Sequence, residues 1–395
     1  MLTSIALLLG GTWASVVDPG IQATWMRDLH SDVSDSTLWE LTLPGTRHSL
    51  SYDLCPTLGN GVLGWYDRAR MMTWSAQHFS LPSQRLQSVF ALQSLTLTQQ
   101  LDAGSRFLDI RVAPDSSGEW RGINVMNTCK LAVDYLVELN MWLEAHPSEV
   151  VVVFISRNGD PSSDGQFAGI PPLSVAQFWR QLKSALPQMA NASLLPLATS
   201  SLSEFSSSGT RAVVLVADWR ELTGSDSSAY DAKKSLNVLR GWGNAGESGE
   251  DVVVRVLKAL PRTNLASQTT PPFALTILNL SPEFPISTAF GSFCMQAPTC
   301  PATGRDLAAL ANYFGQFVVE GAFKGADLPQ VVLMDGLMVN GDVPIDRKAR
   351  SDWSYPAVGR ILERNKLRLD SASPQLTLPV SLRSWEDPDY GRRIL

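Results

Sequence analysis

Short, unbroken apolar runs recur along the chain at Trp39–Leu43, Phe107–Val112, Val150–Ile155, Arg211–Ala217, Phe273–Leu280 and Val331–Met334. Several lack the alternation of a half-exposed strand, as expected of strands covered on both faces of a parallel sheet. Between them the apolar spacing becomes helical. Leu131, Tyr135, Leu136, Leu139, Trp142 and Leu143 share one helix face, and Val175, Phe178, Trp179, Leu182 and Leu186 share another. Ser174 reads as the N-cap of the second helix, after Pro171-Pro172. Leu307, Leu310, Phe314 and Phe317 make a third stripe. Strands alternating with helices predict an α/β fold, and one TIM-type (β/α)8-like barrel accounts for them without a domain boundary. The Ser-rich stretches Thr199–Thr210 and Gly224–Ser228 read as surface loops. The long interval between the first two strands predicts a segment that covers one end of the barrel.

Composition narrows the class. Of the 395 residues, 44% are hydrophobic and 18% charged, which excludes a disordered charged tail and supplies a large core. The net charge of −6 and the lack of a basic run argue against nucleic acid as a partner. No apolar run approaches the ~20 residues that cross a bilayer. A monomer is expected. Residues 24–395 read as a single domain, preceded by a segment, 1–23, that has the apolar stretch Ile5–Leu9 and a small residue, Ala14, of a secretory signal. No Lys or Arg precedes that stretch, and a packed N-terminal strand is the alternative.

Cys55, Cys129, Cys294 and Cys300 form an even set without a CxxC pair, which disfavours zinc; Cys294 and Cys300 are close enough in sequence to bridge. Asn191-Ala-Ser193 and Asn279-Leu-Ser281 fit the glycosylation sequon. These features favour a secreted or extracellular protein over a cytoplasmic one. Trp65, Trp74, Trp219 and Trp242 fall in expected loops, where they serve either as packing residues or as anchors for peripheral membrane contact.

Barrel enzymes carry their chemistry at the C-terminal ends of the strands. Pro44-Gly45-Thr46-Arg47-His48-Ser49 follows the first run, and Asp109 and Arg111 stand two apart on one face of the second. Ser156-Arg157-Asn158 and Asp335 follow later runs. Acidic and basic groups meeting on one rim suit an anionic substrate, most simply a phosphate ester. The plainer readings are an internal Asp109–Arg111 ion pair, a turn-capping Asp335 and a rim charge at Arg157.

The segments TWMRDL (24–29), LTLPGTRHSLSYDL (41–54), QSLTLTQQLDAGSRFLDIRV (93–112), LVELNMWLEAHPSEVVVVFISRN (136–158) and VVLMDG (331–336) resemble the X domain of phosphatidylinositol-specific phospholipase C, in particular the stand-alone X-domain-containing proteins. The resemblance covers about residues 24–365. It implies a TIM-type barrel of the phospholipase C-like phosphodiesterase fold and cleavage of a phosphodiester, with a phosphoinositide-like lipid or a related compound as substrate. One histidine of the family is the general base and a second protonates the leaving oxygen.

Carried over residue by residue, the family's Asp-x-Arg pair matches Asp109 and Arg111, and its late aspartate, which orients the base, matches Asp335. Where the family reads Gly-Thr-His-Asp-Ser, this chain reads Gly45-Thr46-Arg47-His48-Ser49. Asn124 stands at the second histidine. Arginine stays protonated, so Arg47 is a phosphate ligand and not a base; His48 becomes the base if the loop slides by one position. Calcium-dependent members carry oxygen ligands where this chain has Arg47, His48 and Arg111, so neither a metal nor a cofactor is expected. The expected catalytic set is His48, Asp109, Arg111 and Asp335, with Arg47, Asn124 and Arg157 binding substrate. The alternative is an inactive protein that holds a phosphorylated head group. A sugar-processing barrel using Asp109 and Asp335 is disfavoured by the arginine beside the first carboxylate.

Overall fold

Runs rich in Val, Ile and Leu are stable as strands only where both faces are covered, and that is where they lie. The computed structural model describes residues 23–29, 34–59, 87, 90–159, 165–224, 226–240, 275–279, 331–334, 358, 361, 362 and 365. Asp335, Cys294, Cys300, the third helix stripe, Trp65, Trp74, Trp242 and the signal-like segment lie outside the described residues.

In chain order the described elements are α1 (Trp25–Asp28), β1 (Leu43–Thr46), β2 (Leu54–Leu58), α2 (Leu97–Asp102), β3 (Phe107–Pro114), β4 (Trp120–Asn124), β5 (Met126–Leu131), α3 (Ala132–Ala145) and β6 (Val151–Ser156). They continue with α4 (Pro172–Ala185), α5 (Leu202–Ser207), β7 (Ala212–Val216), α6 (Trp219–Thr223), β8 (Tyr230–Asp231), α7 (Ala232–Ser235), β9 (Leu236–Arg240), β10 (Leu275–Asn279) and β11 (Val331–Met334).

The parallel strands run in the order β8-β7-β6-β3-β1-β11-β10-β9. β1, the first of them in the chain, thus pairs with β11, the last, which is the neighbour relation of a (β/α)8 barrel. Among the described residues no ladder joins β8 to β9, which only α7 separates along the chain. From the C-terminal end of β3 a second, antiparallel sheet continues through β4 and β5 to β2.

Two apolar layers follow from strand alternation. Leu108, Ile110 and Val112 of β3 pack with Val151, Val153 and Ile155 of β6, under α3 and α4. Phe107, Val152, Phe154, Val213, Leu215, Ile277, Val331 and Leu333 fill the opposite face, the interior of the strand array. Asp109 and Arg111, in step with Phe107, share that interior face. The interior is closed at the N-terminal strand ends by an ion pair. Arg106 donates to Glu149 at 2.8 and 2.6 Å, and both side chains are essentially inaccessible. Glu149 also accepts the amides of Met26 and Arg27, and Arg106 donates to the Ala23 carbonyl. Segment 23–28 is thereby pinned across the strands.

Several sequence expectations shift. The first strand is Leu43–Thr46 and not Trp39–Leu43: Pro44 and Gly45 lie inside it, wedged between β3 and β11. A Cβ on Gly45 would stand 3.0 Å from the Phe107 Cβ and 3.2 Å from its carbonyl oxygen, so any larger residue would have to push β1 and β3 slightly apart. The second helix starts at Pro172 with Pro171 as its N-cap; the Ser174 hydroxyl instead accepts from the Trp120 indole at 3.1 Å. Part of the Ser-rich stretch Thr199–Thr210 is the helix α5, closed by a capping box between Ser201 and Glu204. Cys55 bonds to Cys129, joining β2 to β5.

Candidate active site

Two parallel strands, β1 and β11, end together at this site, and β3 runs on past them. Thr46 of β1 lies opposite Met334 of β11 and Leu108 of β3. The chain leaving β1 then folds over the strand ends: the Arg47 amide donates to the Met334 carbonyl and the Ser49 amide to the Asp109 carbonyl, both at 2.9 Å. His48 sits between them with φ +47°, a left-handed backbone that L-residues seldom adopt. Its amide faces Asp109 Oδ2 at 3.5 Å. Thr46 and Ser49 join hydroxyls at 2.9 Å beneath the turn.

The interval between β1 and β3 helps to build this rim, as its length predicts. Gln93 Nε2 donates to the carbonyls of Arg47 at 2.8 Å and Met334 at 3.3 Å, while Ser51 Oγ accepts the amides of Leu92 and Gln93. Gln100 Nε2 donates to the Ser49 carbonyl. Sequence reasoning missed these glutamines. Nothing in their local sequence marks them; their burial, which demands backbone partners, shows only in the structure.

Arg111 Nη2 donates to Asp109 Oδ2 at 3.3 Å in a buried pair. His48 is 6% exposed. Burial, then the charges of Arg111 and Arg47, push its imidazole well below the usual histidine range, so that it is neutral at pH 7. Among the described residues, buried His48 Nδ1 and Asp109 Oδ1 have no hydrogen-bond partner. The sequence-predicted set thus converges in part: Arg47, His48, Asp109 and Arg111 form one cluster, half-buried at Arg47 and buried at the others.

The remaining predicted residues are placed differently. Asn124 ends β4 in the antiparallel sheet; its Nδ2 donates to the Phe90 carbonyl at 2.6 Å, and the next residue, Val125, has φ +65°. A β-branched residue in that region is strained. Arg157 donates its amide to Gln166 Oε1 and its guanidinium to the carbonyls of Gln166 and Ala168, which binds the following loop. His146 caps the end of α3, stacked on Trp142 at 4.0 Å, at the end opposite the cluster. Among the described residues no group of three or more His, Cys, Asp or Glu side chains is arranged to hold a metal ion. Among the described residues a cation at this cluster would meet one carboxylate, Asp109, flanked by two guanidinium groups, a poor donor set.

Residues 86–178 match the family model described as PI-PLC X 1. The match takes in Asp109, Arg111, Asn124 and Arg157 and starts after Arg47 and His48. The chain is similar to PI-PLC X domain-containing protein 1 of Mus musculus, 32% identical over 150 residues, which cover 34% of this chain and 39% of that protein. The same protein of Homo sapiens is 30% identical over 144 residues, covering 33% and 40%. The similarity therefore spans about two fifths of the length of these relatives. Among solved structures, a phosphatidylinositol-specific phospholipase C from S. aureus superimposes with a TM-score of 0.53 at 14% identity, covering 87% of this chain and 97% of that one. The phosphatidylinositol-specific phospholipase C from Listeria monocytogenes gives a TM-score of 0.50 at 14% identity, covering 87% and 98%. The chain shares the fold of these two enzymes.

Proposed function

We propose that this relative of the PI-PLC X domain-containing proteins is a phosphoric diester hydrolase of the phospholipase C type, working by acid–base chemistry without a metal and at a reduced rate. One observation carries the reading: His48, whose backbone amide meets Asp109 Oδ2 at 3.5 Å beside the Asp109–Arg111 pair, has a neutral, buried imidazole within the field of Arg111 and Arg47, its Nδ1 without a partner among the described residues. Arg111 and Arg47 hold the phosphate and stabilise the charge that builds up on it. A bound anion offsets the two guanidinium charges that depress His48, so its basicity rises when substrate is present. His48 then takes the proton of the attacking hydroxyl. Asp335 keeps, on sequence alone, the task of orienting that base.

Leaving-group protonation is the weak step. Asn124 cannot supply a proton near neutral pH, so the proton returns from the His48 imidazolium or from water. Absence of a dedicated acid typically costs ~10²–10⁴ in rate. The Cys55–Cys129 bridge favours a secreted protein, because such bonds persist in oxidising compartments.

A second reading, a phosphodiester-binding protein without turnover, is favoured by the Asn124 amide being already committed to the Phe90 carbonyl. Hydrolysis of phosphatidylinositol vesicles and of a water-soluble phosphodiester, by wild type and His48→Ala, separates the two. Turnover that the substitution abolishes supports the enzyme, and turnover that it leaves intact removes His48 as base. Saturable binding without turnover establishes the second reading.

A further inference from the structure

The turn that leaves β6 presses on the guanidinium of Arg111. Gly159 has φ +79°, and a Cβ built on it would stand 2.1 Å from Nη2, 2.3 Å from Cζ and 2.5 Å from Nε of Arg111. No side chain fits there while the guanidinium keeps its place. The Gly159 amide donates to Ser156 Oγ at 2.8 Å. Ser156 is fully buried, ends β6 and lies opposite Arg111 in the β3–β6 register. The serine therefore ties the turn down, and the turn sets a bare α-carbon against the arginine.

We propose that Gly159 is a positioning residue that fixes the direction of the Arg111 fork, with Ser156 as its tether. This rests on the reading of Arg111 as the phosphate ligand. A guanidinium recognises two oxygens through parallel donors in a rigid plane, so a tilt of the fork loses contacts that a flexible ammonium would recover. Any side chain at position 159 must push the fork from its 3.3 Å contact with Asp109 Oδ2. The two glycine requirements coincide here: a left-handed backbone and a contact that tolerates no Cβ.

Gly118 supplies a matched control, with φ +87° and nothing within 4 Å of a built Cβ. Gly118→Ala carries comparable backbone strain without touching Arg111. The Arg111 Nε–H resonance, assigned by its loss in Arg111→Lys, reports the fork directly, and calorimetric titration with inorganic phosphate reports its use. In Gly159→Ala the resonance moves and phosphate affinity falls about tenfold or more, the worth of a charge-assisted contact. In Gly118→Ala both stay at wild-type values. A folded Gly159→Ala protein with an unmoved resonance overturns the positioning role whatever happens to phosphate. A moved resonance in a protein whose wild type binds no phosphate upholds the positioning and sinks the anion-site reading.

Discussion

Asp109 and Arg111 stand two residues apart on one face of β3 and form a buried ion pair at 3.3 Å that points into the strand array. A buried guanidinium is tolerated there because a carboxylate stands beside it, so the pair serves stability as well as recognition. Removing the arginine takes its counter-charge from the buried Asp109 carboxylate, at a cost of about 3–5 kcal/mol. Arg111→Met is expected to lower the unfolding free energy measured in urea by that amount and to abolish phosphate binding. The double variant Asp109→Asn/Arg111→Met recovers most of the stability and none of the binding. Equal losses in single and double variants would show that the pair is not coupled.

Acid should weaken the fold through His48. Burial, with Arg111 and Arg47 behind it, holds the folded-state imidazole well below its ordinary value of 6.5, whereas the unfolded chain takes up the proton near 6.5. The unfolded state then binds more protons, so stability is fully present above pH 6.5 and is lost as pH falls from there towards the folded-state value. The slope reaches at most ~1.4 kcal/mol per pH unit. Chemical denaturation across this window should show the loss in wild type, and His48→Asn should flatten it. An unchanged slope in the variant would mean that another group titrates.

The end of the barrel remote from His48 offers a separation of stability from function. Glu149 accepts from Arg106 and from the amides of Met26 and Arg27 in a site closed to solvent. Glu149→Gln keeps the shape and removes the carboxylate charge that Arg106 faces in the buried site, for about 3–5 kcal/mol. Phosphate affinity of the protein that remains folded should be unchanged. Circular dichroism melts together with phosphate titration test both halves.

How much of this was legible in the sequence depends on which force decided each element. Val150–Ile155 and Arg211–Ala217 were plain because burial on both faces demands unbroken β-branched residues, and β6 and β7 obey. β1 was misplaced because Pro44 and Gly45 read locally as a turn, whereas pairing with β3 and β11 overrides that preference. The antiparallel strands β2, β4 and β5 are polar and short, and long-range pairing and a disulfide hold them in place. Asp109 and Arg111 were found from their spacing, since period two fixes a shared face. Gly159 was beyond reach, because its reason is the Arg111 guanidinium, which comes from a strand far away in sequence.

The disulfide gives the last prediction. Cys55 and Cys129 are 74 positions apart, and the bond ties β2, which follows the His48 turn, to β5, which follows Asn124. A covalent closure of that length removes unfolded-state entropy worth about 4 kcal/mol in the chain-entropy view. Cys129 is exposed, so a dithiol reaches the bond in the folded protein. Reduction should therefore lower the thermal midpoint well before any other bond is broken. Phosphate binding should change little, because Asp53, one residue before β2, stays anchored by the Tyr135 hydroxyl at 2.5 Å when the bridge is cut. The Cys55→Ser/Cys129→Ser variant should reproduce the reduced protein and ignore the dithiol. A melt of wild type that the dithiol leaves unmoved would show that the bridge adds nothing the β2–β5 ladder does not already supply.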